Sequence, residues 1–237
     1  AMSTKKTTEK ETLTVDELEE KAEALYEDEK YCEAVRIYRI AAAMGGDHAQ
    51  YSLGFCYENG FGVEEDRDEA MKWYKLAAEN GNEDAMYCLA MGMFEDCDFD
   101  ASAVWFAKAA DAGVDDAWYY LGWLFFNGEG VEYNVEKAEK CWSRVINEDQ
   151  SALQYKIGKA YECWSTSKEI DQTERTRRFG IAANWMKLAA KYGNKDARQW
   201  LKEKKVGEAE SSQEASIPCS EPPSITSFWK AMIKSVD

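Results

Sequence analysis

Apolar residues recur along this chain with the period of a helix, and the helices recur with the period of a repeat. Across Ala49–Gly81, Ala49, Leu53, Gly54 and Tyr57 fall on one helical face. A glycine-containing turn, Asn59–Val63, follows. Ala70, Trp73, Tyr74, Ala77 and Ala78 then line the inner face of a second helix that ends at Gly81. The same columns return downstream. Leu53, Leu89, Leu121 and Ile157 are spaced by 36, 32 and 36 residues, and Gly54, Ala90, Gly122 and Gly158 keep the same intervals. In the second helices Ile37, Trp73, Trp105 and Cys141 repeat them again. Two-helix units at this period predict a solenoid, because each pair leaves an apolar face that only a neighbouring pair can cover. The small residue after each leucine predicts a close approach of two helices, and the alanine pairs predict stacking of the next repeat.

The flanks extend the pattern unevenly. Thr14 with Glu17 reads as a capping box opening a first helix that carries Leu18, Ala22, Leu25 and Tyr26. A second helix carrying Ala34, Ile37, Tyr38, Ala41 and Ala42 stops at Gly45–Gly46. One later turn, Glu95–Asp100, is short and lacks glycine. Another is expected to expand over Ser165–Gly180 and contains Arg175, Arg177 and Arg178. Ala197, Trp200 and Leu201 begin a capping helix. The expected organisation is a repeat solenoid over 14–203, a polar linker over 204–223 and an amphipathic helix over 224–237. In that helix Ile225, Phe228, Trp229, Met232 and Ile233 form one stripe, suited to docking within the molecule or onto another.

The residues Ala49-x-Tyr51-x-Leu53-Gly54-x-x-Tyr57-x-x-Gly60-x-Gly62-Val63, followed by Asp66, Glu69–Ala70, Trp73–Tyr74–Lys75 and Ala77–Ala78-x-x-Gly81–Asn82, resemble the Sel-one-like repeat, a relative of the tetratricopeptide repeat. Leu121–Gly122, Gly128-x-Gly130–Val131, Lys137–Ala138 and Trp142 repeat the motif. The resemblance covers about residues 47–200, is weak over 14–46 and does not reach the tail. It implies an all-α, right-handed α-solenoid of antiparallel helix pairs, a TPR-like superhelix. It also implies an adaptor or scaffold that binds a peptide or protein on its concave face, which the first helices line. The disulfides of some cysteine-rich members are not implied, because the cysteines here do not recur at fixed repeat positions.

Beside the core stripe of the first helices runs a column Phe55, Met91, Trp123 and Lys159. Next to it lie Glu58, Phe94, Phe126 and Glu162, and the tyrosines Tyr51, Tyr87, Tyr119 and Tyr155. Large apolar residues off the core stripe mark either recognition or extra packing. The expected partner-binding set is Phe55, Tyr87, Met91, Phe94, Tyr119, Trp123 and Phe126.

Composition narrows the classes. The formal charge of −16 argues against binding nucleic acid through a general basic surface and is compatible with a basic partner. Seven cysteines, an odd number without CxxC, together with no apolar run at the N-terminus, lead to the expectation of reduced thiols in the cytoplasm. No stretch reaches membrane-spanning length, so no membrane insertion is expected. The only histidine, His48, stands before a helix in a capping or exposed role, and nucleotide-binding, metalloprotease and hydrolase motifs do not occur. Neither catalysis nor a cofactor or metal is expected. The alternative to an adaptor is a regulatory or structural subunit that self-associates or docks onto a larger assembly through its C-terminal helix.

Overall fold

A computed structural model describes residues 13–146, 148–167, 170–204 and 206. The stripe Ile225, Phe228, Trp229, Met232 and Ile233, and the linker beyond Val206, lie outside the described residues. Among the described residues the fold is all-α, a helical-repeat architecture of antiparallel pairs, as the periodicity predicts. These residues form two compact units, one up to Asp96 and one from Cys97.

Unit 1 contains α1 (Val15–Glu27), α2 (Tyr31–Ala43), α3 (Asp47–Asn59), α4 (Arg67–Glu79) and α5 (Glu83–Glu95), each packed on the next. Unit 2 contains α6 (Phe99–Ala112), α7 (Asp115–Asn127), α8 (Val135–Trp142), a short 3-10 turn (Glu148–Gln150), α9 (Ser151–Ser165), α10 (Gln172–Lys191) and α11 (Lys195–Glu203).

Polar caps set where the helices begin. At α1 the capping box forms in full: the Glu17 backbone N–H donates to Thr14 Oγ1 at 3.3 Å and the Thr14 N–H donates to Glu17 Oε2 at 2.8 Å. Asp66, Asn82, Asp98, Asn134, Asp171 and Asn194 each accept from the backbone N–H three residues on. Asp171 explains one departure from expectation. It starts α10 at Gln172, so the stretch expected as a long turn to Gly180 is mostly helix. Gly180 lies within α10 where an added Cβ would meet only open space, so packing does not require a glycine there.

The deepest column of the second helices lies one residue beyond the one the spacing picks out. Tyr38, Tyr74, Phe106 and Trp142 are buried, whereas Ile37, Trp73 and Trp105 are half-buried. The small residue after the leucine receives that ring. A Cβ on Gly54 would stand 2.6 Å from the Tyr74 ring, and one on Gly122 would stand 2.5 Å from the Trp142 indole nitrogen. Trp142 Nε1 also donates to the Tyr119 carbonyl at 3.0 Å, so this ring is hydrogen-bonded as well as packed. In the turn after α3, Gly62 takes φ +71 and lies against the Tyr31 backbone where a Cβ would fall 2.4 Å away.

Candidate functional site

The side chains of α3, α4 and α5 enclose an open cavity of about 200 Å³ within unit 1. Its apolar walls are Met71 and Tyr74 from α4 and Tyr87 and Met91 from α5. Gly92 forms part of the lining, and a Cβ there would collide with the Met71 sulfur at 2.4 Å. Polar groups stand at Glu58, Arg67 and Glu95. Helical spacing brings Arg67 to its place. As the first residue of α4, held by the Asp66 cap, it reaches across to the end of α5. There its Nη1 donates to Asp96 Oδ1 at 2.9 Å and its Nη2 donates to the Gly92 carbonyl at 3.1 Å and to Glu95 Oε2 at 3.4 Å. The acidic turn after α5 is thus partly neutralised from within its own unit.

Glu58 accepts the Tyr74 hydroxyl hydrogen bond at 2.6 Å. Burial, then this bond, pushes the Tyr74 phenol far above its ordinary value, so it stays a donor. Burial, followed by Glu58 and Asp84, pushes the Cys88 thiol up to about 12. Cys88 therefore lines the cavity as a neutral thiol, without the lowered pKa of a nucleophile.

The expected partner-binding residues divide by exposure. Tyr87 and Met91 meet at the cavity and are half-buried. Phe55 is 36% exposed, with its ring 6.0 Å from Phe61, which stacks on Tyr31 at 5.0 Å. It extends an aromatic cluster at one end of the helix pairs and does not line the cavity. Phe94, Tyr119, Trp123 and Phe126 are buried, each 4–6% exposed. In unit 2, Phe126 sits among Trp142, Tyr161 and Trp164, with ring centroids at 5.2, 5.5 and 4.8 Å. Trp118, which fits neither stripe, is half-buried under Arg144 at 4.4 Å.

The basic cluster is used internally. Arg178 is buried, donates to Glu174 Oε1 at 2.7 Å and lies 3.5 Å over the Trp164 ring. Arg177 pairs with the same glutamate at 3.3 Å, and Arg175 donates to the Ser167 and Ile170 carbonyls at 3.2 and 3.4 Å. His48 is half-buried at the second position of α3, and the cap itself is Gly46. Arg67, Met71 and Cys88 were missed by sequence reasoning. They lie on the second helix or between the followed stripes, and only the pairing of α4 with α5 brings them together.

A family model for the Sel1 repeat matches residues 47–82, 85–114 and 116–146. Residues 47–146 carry three Sel1 repeats. A Sel1 repeat protein of Oxalobacter formigenes is similar in structure, with a TM-score of 0.61 and 25% identity over 79% of this chain and 77% of that one. A protective antigen of uropathogenic Escherichia coli with an SLR fold superposes at a TM-score of 0.65 and 24% identity, covering 82% of this chain and 42% of the antigen. In sequence, a 52-residue segment is 42% identical to the DAP3-binding cell death enhancer 1 of rat. That segment is 22% of this chain and spans only 10% of the relative. Sel1 repeats generally mediate protein–protein interaction and are generally non-enzymatic. No described helix is long and apolar enough to cross a membrane.

Proposed function

We propose that this chain is a non-enzymatic adaptor or scaffold that binds a peptide or protein through the first-helix surface of unit 1. The observation that carries this reading is the open cavity, with Tyr87 and Met91 in its wall. Phe55 adds a partly exposed aromatic edge on the neighbouring helix α3. Aromatic and methionine side chains that are accessible but supported from below are suited to anchoring a partner. The buried Phe94, Tyr119, Trp123 and Phe126 contribute by packing. The rat relative carries protein binding in its printed name, which fits the reading over the matched segment.

Affinity capture with the full chain tests this. A Phe55→Ala, Met91→Ala variant is expected to lose its partner while its Tm falls by only a few degrees. Trp123→Ala is expected to lower Tm strongly, with capture following the folded fraction. Full retention of the partner by the double variant would overturn the assignment of the surface.

A further inference from the structure

We propose that the unit 1 cavity receives a lysine or arginine side chain from the partner, its aliphatic stem between Met71, Met91, Tyr74 and Tyr87 and its cationic end at Glu58. This rests on the adaptor reading and names the chemistry at its centre.

Size is the first argument. About 200 Å³ holds one long side chain and falls below the roughly 300 Å³ at which small-molecule pockets begin. The second is the lining. Two thioethers and two tyrosine rings suit a methylene stem, and lysine and arginine bury such stems while keeping the charged end at a polar rim. Charge supplies the third argument. The cavity is lined by two carboxylates, Glu58 and Glu95, and one guanidinium, Arg67. Arg67 is committed to Asp96, Glu95 and the Gly92 carbonyl. Glu58 has no ion pair among the described residues; its Oε2 takes the Tyr74 hydroxyl, which fixes the carboxylate and leaves Oε1 to accept a further donor. The lining therefore carries one negative charge in excess, and a fixed carboxylate is a good acceptor for a charge-assisted hydrogen bond. The wider field agrees. Beyond burial, Glu58 raises the Tyr74 phenol, and Asp84 and Glu58 add to the rise at Tyr51. The chain's formal charge of −16 favours the same kind of partner at long range.

The methionines report occupancy directly. The full chain carrying ¹³C-methyl methionine is titrated with Nα-acetyl-lysine methylamide, Nα-acetyl-arginine methylamide and the uncharged Nα-acetyl-norleucine methylamide. The Met71 and Met91 signals are assigned from Met71→Leu and Met91→Leu. Saturable shifts of both methyls with a cationic probe, weak or absent with norleucine, are expected. Glu58→Gln, which can still accept the Tyr74 hydroxyl, is expected to weaken the cationic probe about fivefold or more. Equal shifts with norleucine, unmoved methyls or an unchanged affinity in Glu58→Gln would overturn the proposal. Capture by the Phe55→Ala, Met91→Ala variant separates the two levels. If the probes fail but Phe55→Ala, Met91→Ala still abolishes capture, the cavity assignment falls and the adaptor reading stands. If that variant keeps its partner as well, both fall.

Discussion

Unit 1 and unit 2 place different residues on the same repeat positions, and the difference separates a surface from a core. The helix pair α3–α4 corresponds to α7–α8. Gly54 and Gly122 each lie under a ring, Tyr74 in one case and Trp142 in the other. One turn along the first helix, Glu58 corresponds to Phe126. Glu58 is exposed and stands at the edge of an open cavity, whereas Phe126 is 4% exposed among Trp142, Tyr161 and Trp164. Met71 of α4 corresponds to Glu139 of α8, which accepts the Tyr161 hydroxyl at 2.9 Å. Each unit thus has a tyrosine–glutamate hydrogen bond, but in unit 2 it ties down a filled aromatic cluster and in unit 1 it orients a carboxylate beside empty space. The repeat scaffold tolerates both because its conserved geometry resides in the leucine, the small residue and the ring, while the flanking positions are left to vary.

The sharpest way to break this comparison is to truncate both members of the pair. Phe126→Ala removes a ring packed against three others and is expected to cost about 3–5 kcal/mol. Glu58→Ala removes an exposed side chain, orphaning only the Tyr74 hydroxyl, and is expected to cost about 1 kcal/mol. Urea denaturation midpoints of the two variants check the ordering. Similar losses would mean that the two positions are equally structural, and the division into surface and core would not hold.

Arg178 gives a second, somewhat smaller contrast. Unit 2 closes its aromatic cluster with a buried guanidinium over Trp164, tied to Glu174 and to the Trp164 carbonyl. Arg67, the arginine at the unit 1 cavity, is half-exposed and held at its rim. Removing Arg178 leaves Glu174, itself largely buried, with only Arg177 as a partner. Arg178→Ala is expected to cost about 3 kcal/mol and Arg67→Ala about 1 kcal/mol or less, as exposed pairs do. Thermal unfolding of both, at low and high salt, checks this: the Arg67 loss should shrink at high salt and the Arg178 loss should persist.

The repeat architecture is legible in the sequence because it depends on spacing. Leu53 and Gly54 and their counterparts downstream are dictated by helical periodicity and close packing and are buried, whereas Tyr57 is only half-buried and its neighbour Cys56 takes the core position. The cavity is less legible. Tyr87 and Met91 stand out as large apolar residues off the core stripe, but Phe94, Trp123 and Phe126 do so by the same criterion and are buried. Residue type cannot separate them, because the burial of a ring depends on what the neighbouring helices bring to it. Trp164 and Arg178 come from α9 and α10, far from Trp123 in sequence. Arg178 falls in a stretch that Gly180 and the charged run make read as a turn, whereas Asp171 starts a helix there.

The smallest expected effect is on the pH dependence, and it too contrasts equivalent positions. Phe61 stands in the middle of the unit 1 turn, packed on Tyr26 and Tyr31, where unit 2 has Glu129. Phe94 of α5 is buried where α9 carries Glu162, the partner of Lys159 and Lys204. Both glutamates of unit 2 are shifted, in opposite directions. Burial raises Glu129, whose Oε2 has no hydrogen-bond partner among the described residues. For Glu162 burial is the largest single influence and acts upward, but hydrogen bonds from Lys159 and Lys204 help outweigh it and hold the carboxyl below its ordinary value. A carboxyl lowered by folding contributes stability above its unfolded pKa and loses it as pH falls through the folded pKa. A raised one does the reverse, costing stability once pH climbs past its folded pKa. Glu162→Gln should therefore destabilise at pH 7 by about 1 kcal/mol or less, with the deficit closing toward pH 3. Glu129→Gln should stabilise at pH 7, the gain closing as pH falls through the raised pKa. Urea midpoints from pH 7 to pH 3 measure both slopes. Parallel slopes would mean that these two carboxylates share one environment, whereas divergent slopes assign the charge to support at Glu162 and to strain at Glu129, the position where unit 1 places a phenylalanine.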